Sequence, residues 1–302
     1  MKTALVTGAA GFIGRHCLLP LLARGYTVHG VTTGQIPDEP AGVVWHRADL
    51  SDPAQTRTLV ALVQPSHLLH LAWYVKHGKY QTAPDNLRWV QTSLELVQAF
   101  VEAGGSRMVT AGSCIEYDWR YGWCVERLTP LESPTLYGTS KHALNIVLSA
   151  YAAQTGLSAA WGRVFFLYGP HEAPTRLVAS IVRALLLQQP ALMSHGDQRR
   201  DFLYVVDVGD AFAALLDSAV TGPVNIASGV PVALRDVGYT IADALNARDL
   251  IQLGALATPP DDPPLVAGSP RRLRDEVGWQ PRYTLADGIA ESIAWWRAHL
   301  ES

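Results

Sequence analysis

The segment Ala4-Leu-Val-Thr-Gly-Ala-Ala-Gly-Phe-Ile-Gly14 constrains this chain more than any other. A short apolar run ends in Gly8, Gly11 and Gly14, and an apolar helical pattern follows through Leu18, Leu19, Leu21 and Leu22. That order reads as a buried first strand, a tight turn and a helix whose N-terminus faces the turn. Free N–H groups and a partial positive charge at such a terminus suit a pyrophosphate. Glycine serves there because it accepts positive φ and lets a ligand lie against the backbone. The spacing departs from the G-x-G-x-x-G fingerprint, and an ordinary strand–helix junction also carries glycines.

Downstream, short β-branched runs alternate with longer amphipathic ones. Candidate strands are Thr3–Thr7, Thr27–Thr32, Val43–Arg47, His67–Leu71, Arg107–Ala111 and Ala159–Phe165. Helical patterns cover Pro53–Val63, Asn86–Ala103 and Thr135–Gln154. This alternation predicts an α/β fold, a Rossmann-type doubly wound parallel sheet with a smaller C-terminal substrate-binding lobe. Residues 1–168 would form the dinucleotide-binding domain, with about 200–228 returning to it, including Phe202–Leu216. Residues 169–199 and 229–302 would form the lobe, where proline-containing loops such as Thr258–Pro264 interrupt shorter elements.

With 48% hydrophobic and 17% charged residues, the chain reads as globular. A net charge of -3 gives no support to nucleic-acid or acidic-membrane binding. No apolar stretch reaches the roughly 18 residues of a membrane span. The first strand begins so early that no signal peptide is expected. Cys17, Cys114 and Cys124 lack metal-ligand spacing, so no metal is expected, and a reducing cytoplasmic setting is the simplest reading.

Tyr137-Gly-Thr-Ser-Lys141 is the second constellation. With Pro134 starting a helix and Ser133 as its N-cap, Tyr137 and Lys141 share a face at i, i+4. An ammonium beside a phenol favours phenolate and lowers its pKa, giving a general acid/base for a sugar or alcohol hydroxyl. Tyr and Lys four apart also occur on many helices by chance. Ser113 follows a strand, at the carboxyl end where a reacting oxygen would lie; alone it reads as a loop serine bonding its own backbone.

In their order and separations, these motifs resemble the extended short-chain dehydrogenase/reductases of the NAD-dependent epimerase/dehydratase family. The likeness spans nearly the whole chain and rests on Gly8-Ala-Ala-Gly11-Phe-Ile-Gly14, Asp49-Leu50, His70-Leu-Ala72, Gly112-Ser113-Cys-Ile-Glu-Tyr117, Tyr137-Gly-Thr-Ser-Lys141, Tyr168-Gly-Pro170, Arg200-Asp-Phe202 with Asp207, and Gly278-Trp279. The resemblance implies that Gly8, Gly11, Phe12, Ile13 and Gly14 line a cofactor pyrophosphate, Asp49 and Leu50 the adenine, and Leu71, Ala72 and Trp73 the cofactor's inner side. Ser113, Tyr137 and Lys141 would be catalytic, with Lys141 also holding the nicotinamide ribose. Arg200 would contact a nucleotide-sugar phosphate, the alternative being a salt bridge to Asp201 or Asp207; Arg271 and Arg272 would assist.

Departures from the family pattern refine the expectation. Thr32 and Thr33 stand where NAD-specific members place an acid, and Arg15 is near enough in sequence to neutralise a 2′-phosphate, which favours NADP, with NAD possible. Cys114 and Ile115 replace the Asp–Glu pair of sugar 4,6-dehydratases, arguing against that elimination. Phe166 replaces a substrate-binding asparagine, and the aromatic loop Tyr117–Trp123 reads as packing or pocket wall; together they suit a less polar sugar. The expected activity is therefore NADP-dependent 4-keto reduction of a nucleotide-linked 6-deoxy sugar. A 4-epimerase with tightly bound NAD is the alternative, and a non-catalytic dinucleotide-binding protein a third reading. A homodimer is expected through the helices carrying Trp89, Leu96, Leu148 and Tyr151.

Overall fold

In the computed structural model, which describes residues 2–38 and 40–300, strand β1 (Thr3–Thr7) runs into the glycine turn and helix α1 (Gly14–Ala23) follows. Next come β2 (Thr27–Thr32), β3 (Val43–Arg47), α2 (Pro53–Val63), β4 (His67–His70), α3 (Asp85–Glu102), β5 (Arg107–Ser113), the short β6 (Trp123–Cys124), α4 (Leu136–Thr155) and β7 (Ser158–Val164). The second half supplies β8 (Phe166–Tyr168), α5 (Leu177–Leu186), β9 (Ala191–Leu192), β10 (Arg199–Tyr204), α6 (Val205–Asp217), β11 (Gly222–Ile226), β12 (Pro231–Ala233), α7 (Leu234–Ala244), β13 (Ile251–Gln252), β14 (Leu265–Gly268), α8 (Arg271–Asp275) and α9 (Leu285–His299).

Seven strands form one parallel sheet in the order β3-β2-β1-β4-β5-β7-β11. Helices cover both faces, as the fold class requires. Leu18, Leu21, Val208 and Phe212 of α1 and α6 pack one face, and Leu59, Leu96, Phe100, Leu144 and Leu148 of α2, α3 and α4 the other. Burying each such side chain contributes on the order of 2 kcal/mol. The strand order turns back at β1: the chain steps outward to β2 and β3, then returns on the other side to β4. A crevice therefore opens between the carboxyl ends of β1 and β4, the switch point where open α/β sheets bind ligands.

A second sheet, β12-β10-β14-β6 with β8 alongside β10, carries the smaller lobe. The stretch Phe202–Leu216 is shared between the two parts. Its strand residues pair in this second sheet, whereas α6 packs on α1 and β11 pairs with β7 of the large sheet.

Two local expectations are corrected. Helix α4 is capped by Thr135 rather than Ser133: Thr135 is extended, and its hydroxyl accepts from the Gly138 N–H at 3.1 Å. A helix begun at Pro134 would place β-branched Thr135 in the first turn and lose that bond, so the later start wins. Leu96 and Leu148 do not face a partner, because α3 and α4 lie side by side and bury both in the chain's own core. The large exposed apolar residues of this helix pair are Leu87, Ile146 and Val147.

Candidate active site

The floor of the crevice is built by Thr7. Its hydroxyl oxygen accepts from the backbone N–H groups of Leu71 and Ala72, both at 3.2 Å, tying the end of β1 to the end of β4. With both lone pairs used, its proton goes to His70 Nδ1 at 2.7 Å. Ser93 donates to the Trp89 carbonyl, so it accepts from His70 Nε2 at 2.8 Å. This pattern assigns a neutral imidazole protonated at Nε2. Burial agrees, lowering the His70 pKa to about 3.

Gly8 follows at φ +66°, and a Cβ there would lie 2.9 Å from the Ala72 nitrogen. Glycine is thus required both by conformation and by the close approach of the two strand ends. Helix α1 starts six residues later with no side-chain cap and no acidic residue in its first turn. The Arg15 and His16 N–H groups already bond the Gly11 and Ile13 carbonyls, so what the turn offers a pyrophosphate is the partial positive charge of the helix start beside Gly8 and Gly11.

A cleft of about 440 Å³ opens above this floor. It brings together Gly8, Gly11, Phe12, Ile13, Gly14, Leu71, Ala72, Trp73, Ser113, Cys114, Tyr137, Lys141 and Phe166 of the residues expected at the site. Thr32 ends β2 and Thr33 follows it, and Asp49 and Leu50 follow β3, beyond the lining of this cleft on the same edge of the sheet. Thr32 Oγ1 accepts from Gly34 N at 3.1 Å, and Asp49 accepts from Ser51 N at 2.9 Å. Arg15 turns back on its own turn, donating to the carbonyls of Ala10 at 2.7 Å and Gly11 at 3.3 Å.

Two arginines lie elsewhere. Arg271 is largely exposed and pairs with Asp275 at 3.6 Å. Arg200 is buried outside the cleft lining and pairs with neither Asp201 nor Asp207; its partner is Asp262, at 2.5 Å, with the Arg199 and Pro263 carbonyls as further acceptors. The two nearer carboxylates are already committed. Asp201 accepts from Ser228, Gly229 and Gly268, and Asp207 accepts from the N–H groups of Arg282 and Tyr283. A larger cavity of about 930 Å³, lined by Asp262 and Pro263, shares Ile115 and Trp119 with the cleft.

Ser113, Tyr137 and Lys141 meet deep in the cleft. Ser113 ends β5, and its N–H donates to Glu116 at 2.8 Å while Glu116 also takes Trp161 and Arg163. That buried carboxylate locks the turn carrying the serine. Tyr137 is 8% exposed and Lys141 2%. Burial lowers the Lys141 pKa to about 7, against the pull of Glu116. The Tyr137 phenol is pushed up, not down as expected: burial and neighbouring Tyr80 outweigh the hydrogen bond to Ser113. The reason is geometric, since the Lys141 ammonium is drawn to the Ala111 carbonyl and the Trp73 ring, with the Tyr137 ring centroid 6.0 Å away.

Several cleft residues were not foreseen. Tyr80 stands edge-on to Tyr137 at 4.8 Å, and His77, His171 and Arg176 complete the wall. Glu116 alone had a sequence signal, the capping-box spacing Ser113-x-x-Glu116. Among the described residues no cluster of His, Cys, Asp or Glu could hold a metal ion, and no helix is long and apolar enough to cross a membrane.

A glycine turn opening onto a switch-point crevice, with a Ser, Tyr and Lys at its inner end, is the arrangement of a dinucleotide-dependent enzyme. A profile of the NAD dependent epimerase/dehydratase family matches residues 4–227, and the chain belongs to that family, among the nucleotide-sugar enzymes of the extended short-chain dehydrogenase/reductase type. It is 28% identical over 319 residues to the UDP-glucose 4-epimerase of Mycolicibacterium smegmatis, covering 98% of this chain and 99% of that one. It is also 28% identical over 315 residues to the dTDP-glucose 4,6-dehydratase of Streptomyces antibioticus, covering 97% and 92%. Among solved structures, the Thermus thermophilus UDP-glucose 4-epimerase in complex with NAD superposes with a TM-score of 0.84 at 27% identity, covering 98% and 99%. The Rossmann-type fold expectation is borne out.

Proposed function

We propose that this enzyme interconverts C4 epimers of a nucleotide-linked hexose by transient oxidation with NAD. The observation that carries the reading is the convergence of Ser113, Tyr137 and Lys141 at the inner end of a cleft that begins at the α1 N-terminus. Gly8, Gly11 and the first turn of α1 would hold the pyrophosphate, and a bound nicotinamide supplies the hydride acceptor and donor. Tyr137 takes the proton from the C4 hydroxyl and later returns it. Ser113, beside Tyr137 in the cleft lining, would hold the same substrate oxygen, and the remaining N–H of Lys141, whose other contacts are Ala111 and Trp73, is the donor available to a phenolate. Dehydration is disfavoured, because buried Cys114 and Ile115 offer no acid/base pair for the elimination and burial pushes the Cys114 thiol well up. The epimerase relatives at full-length coverage support the choice of reaction.

A second reading, NADPH-dependent reduction of a 4-keto-6-deoxy sugar nucleotide, is favoured by Thr32 and Thr33, whose small hydroxyls leave room for a 2′-phosphate. We propose a homodimer through the exposed face of α3 and α4 in either case. Cofactor retention separates the two. An epimerase carries stoichiometric NAD through purification and interconverts its sugar nucleotides without added NADPH; a reductase carries none and consumes NADPH. Tyr137→Phe is expected to lower turnover by about 10²-fold or more while retaining cofactor. An active Tyr137→Phe protein would overturn both readings.

A further inference from the structure

Lys141 makes a contact that the proposed chemistry does not require. Its Nζ lies 3.7 Å from the centroid of the Trp73 ring, the shortest cation–aromatic contact among the described residues. It also donates to the Ala111 carbonyl at 2.8 Å. An ammonium has three N–H donors and no acceptor. One is taken by Ala111 and one falls on the indole face, the aromatic face that attracts a cation best, which leaves one for the reacting groups. Trp73 is itself held fast. Its Nε1 donates to Asn86 Oδ1 at 2.8 Å, and Asn86 donates in turn to the Tyr80 and Ala83 carbonyls. Trp89 stacks on it at 6.1 Å, and its ring meets Tyr137 near-perpendicularly at 6.3 Å.

We propose that Trp73 is a positioning residue for the Lys141–Tyr137 pair, its face keeping the ammonium charged in a site closed to water and its edge fixing the tilt of the phenol ring. The proposal rests on reading Tyr137 and Lys141 as the acid/base pair. The groups around the ammonium make the contact consequential. Glu116, on the turn after β5, favours the charged form; burial opposes it. His70 on β4 is neutral and the Tyr137 phenol on α4 is pushed up, so neither adds a negative charge; Tyr80, ahead of α3, stands edge-on to Tyr137. With its pKa near 7, the lysine is poised where a modest loss of support empties the charged state at working pH.

The test follows the Lys141 titration by NMR in cofactor-free protein labelled with ¹³C-lysine, the signal assigned by its loss in Lys141→Met. Trp73→Leu should lower the midpoint by about one pH unit, and Trp73→Phe by less, because the phenyl face is the weaker partner. The alkaline limb of kcat should move to lower pH in the same order, with KM changing little. An unchanged or raised midpoint in the leucine variant would overturn the proposal. Should that variant fail to fold by thermal melting, the phenylalanine variant decides on the same criterion. Activity retained by Tyr137→Phe would bring down the functional reading instead, while the titration still judges Trp73 by itself.

Discussion

Under the proposed function, the setting of Arg200 decides whether it can meet a substrate phosphate. Its guanidinium is an ideal fork for a phosphate, yet here it clasps Asp262, which also accepts from Gln198 at 2.9 Å. Asp262 sits in the proline-rich stretch Thr258–Pro264 and lines the larger cavity. A diphosphate reaching Arg200 must therefore displace a carboxylate. Asp262→Asn is expected to lower KM for the sugar nucleotide by about threefold to tenfold at unchanged kcat. A raised KM in steady-state kinetics would mean that the carboxylate aims the arginine rather than competing for it. Nothing in the local sequence pointed to this pair: Asp201 follows Arg200 directly and Asp207 lies within two helical turns of it in the chain, whereas Asp262 is 62 residues away. Side-chain partnerships across such distances are set by which loop folds over which strand, and that information is not local.

Elements were far more legible, and the reason is visible in each. The ends of β2, β3 and α2 match the patterns read from the chain, because both strands are short runs carrying β-branched residues and Asp52-Pro53 is a strong helix start. The start of α4 was misread because Ser133, Pro134 and Thr135 all carry starting signals, and only the bond to Gly138 decides among them. The ends of β1 and β4 are joined through Thr7, His70 and Ser93, a chain that works only with a neutral imidazole. Its pKa falls from 6.5 to about 3 on folding. Between those values the unfolded chain binds a proton that the folded one refuses, so stability falls as pH drops through that window, by up to about 1.4 kcal/mol per pH unit from this group. Urea melts from pH 6.5 to pH 4 should show a shallower decline for His70→Gln than for the wild type. Equal slopes would remove His70 as the source.

At the scale of the whole molecule, both faces of the large sheet are covered, and the homodimer proposed above would use the apolar surface left on α3 and α4. Ile146 and Val147 are 56% and 47% exposed on a helix whose other side is core. If this face joins two copies, the wild type should sediment at twice the chain mass, and Ile146→Glu with Val147→Glu should sediment as a monomer with an unchanged melting profile. A double variant that stays dimeric would place the contact elsewhere. The crevice and its glycine turn were readable because strand order and turn chemistry leave local marks. The walls of the cleft, Tyr80, His77 and Arg176, were not, because they come from loops with no periodic signal.

The route by which β11 completes the large sheet has a practical corollary. That strand enters beside β7 only after the chain has already laid down β8, α5, β9 and β10 in the other lobe. The two halves are therefore interleaved rather than joined end to end. A swap of specificity with a relative cannot be made by a single splice after Tyr168: such a graft would also import a foreign border strand and the helix α6 that seats against α1. Exchange of two separate blocks, on either side of the α6–β11 insert, is the recombination this architecture permits.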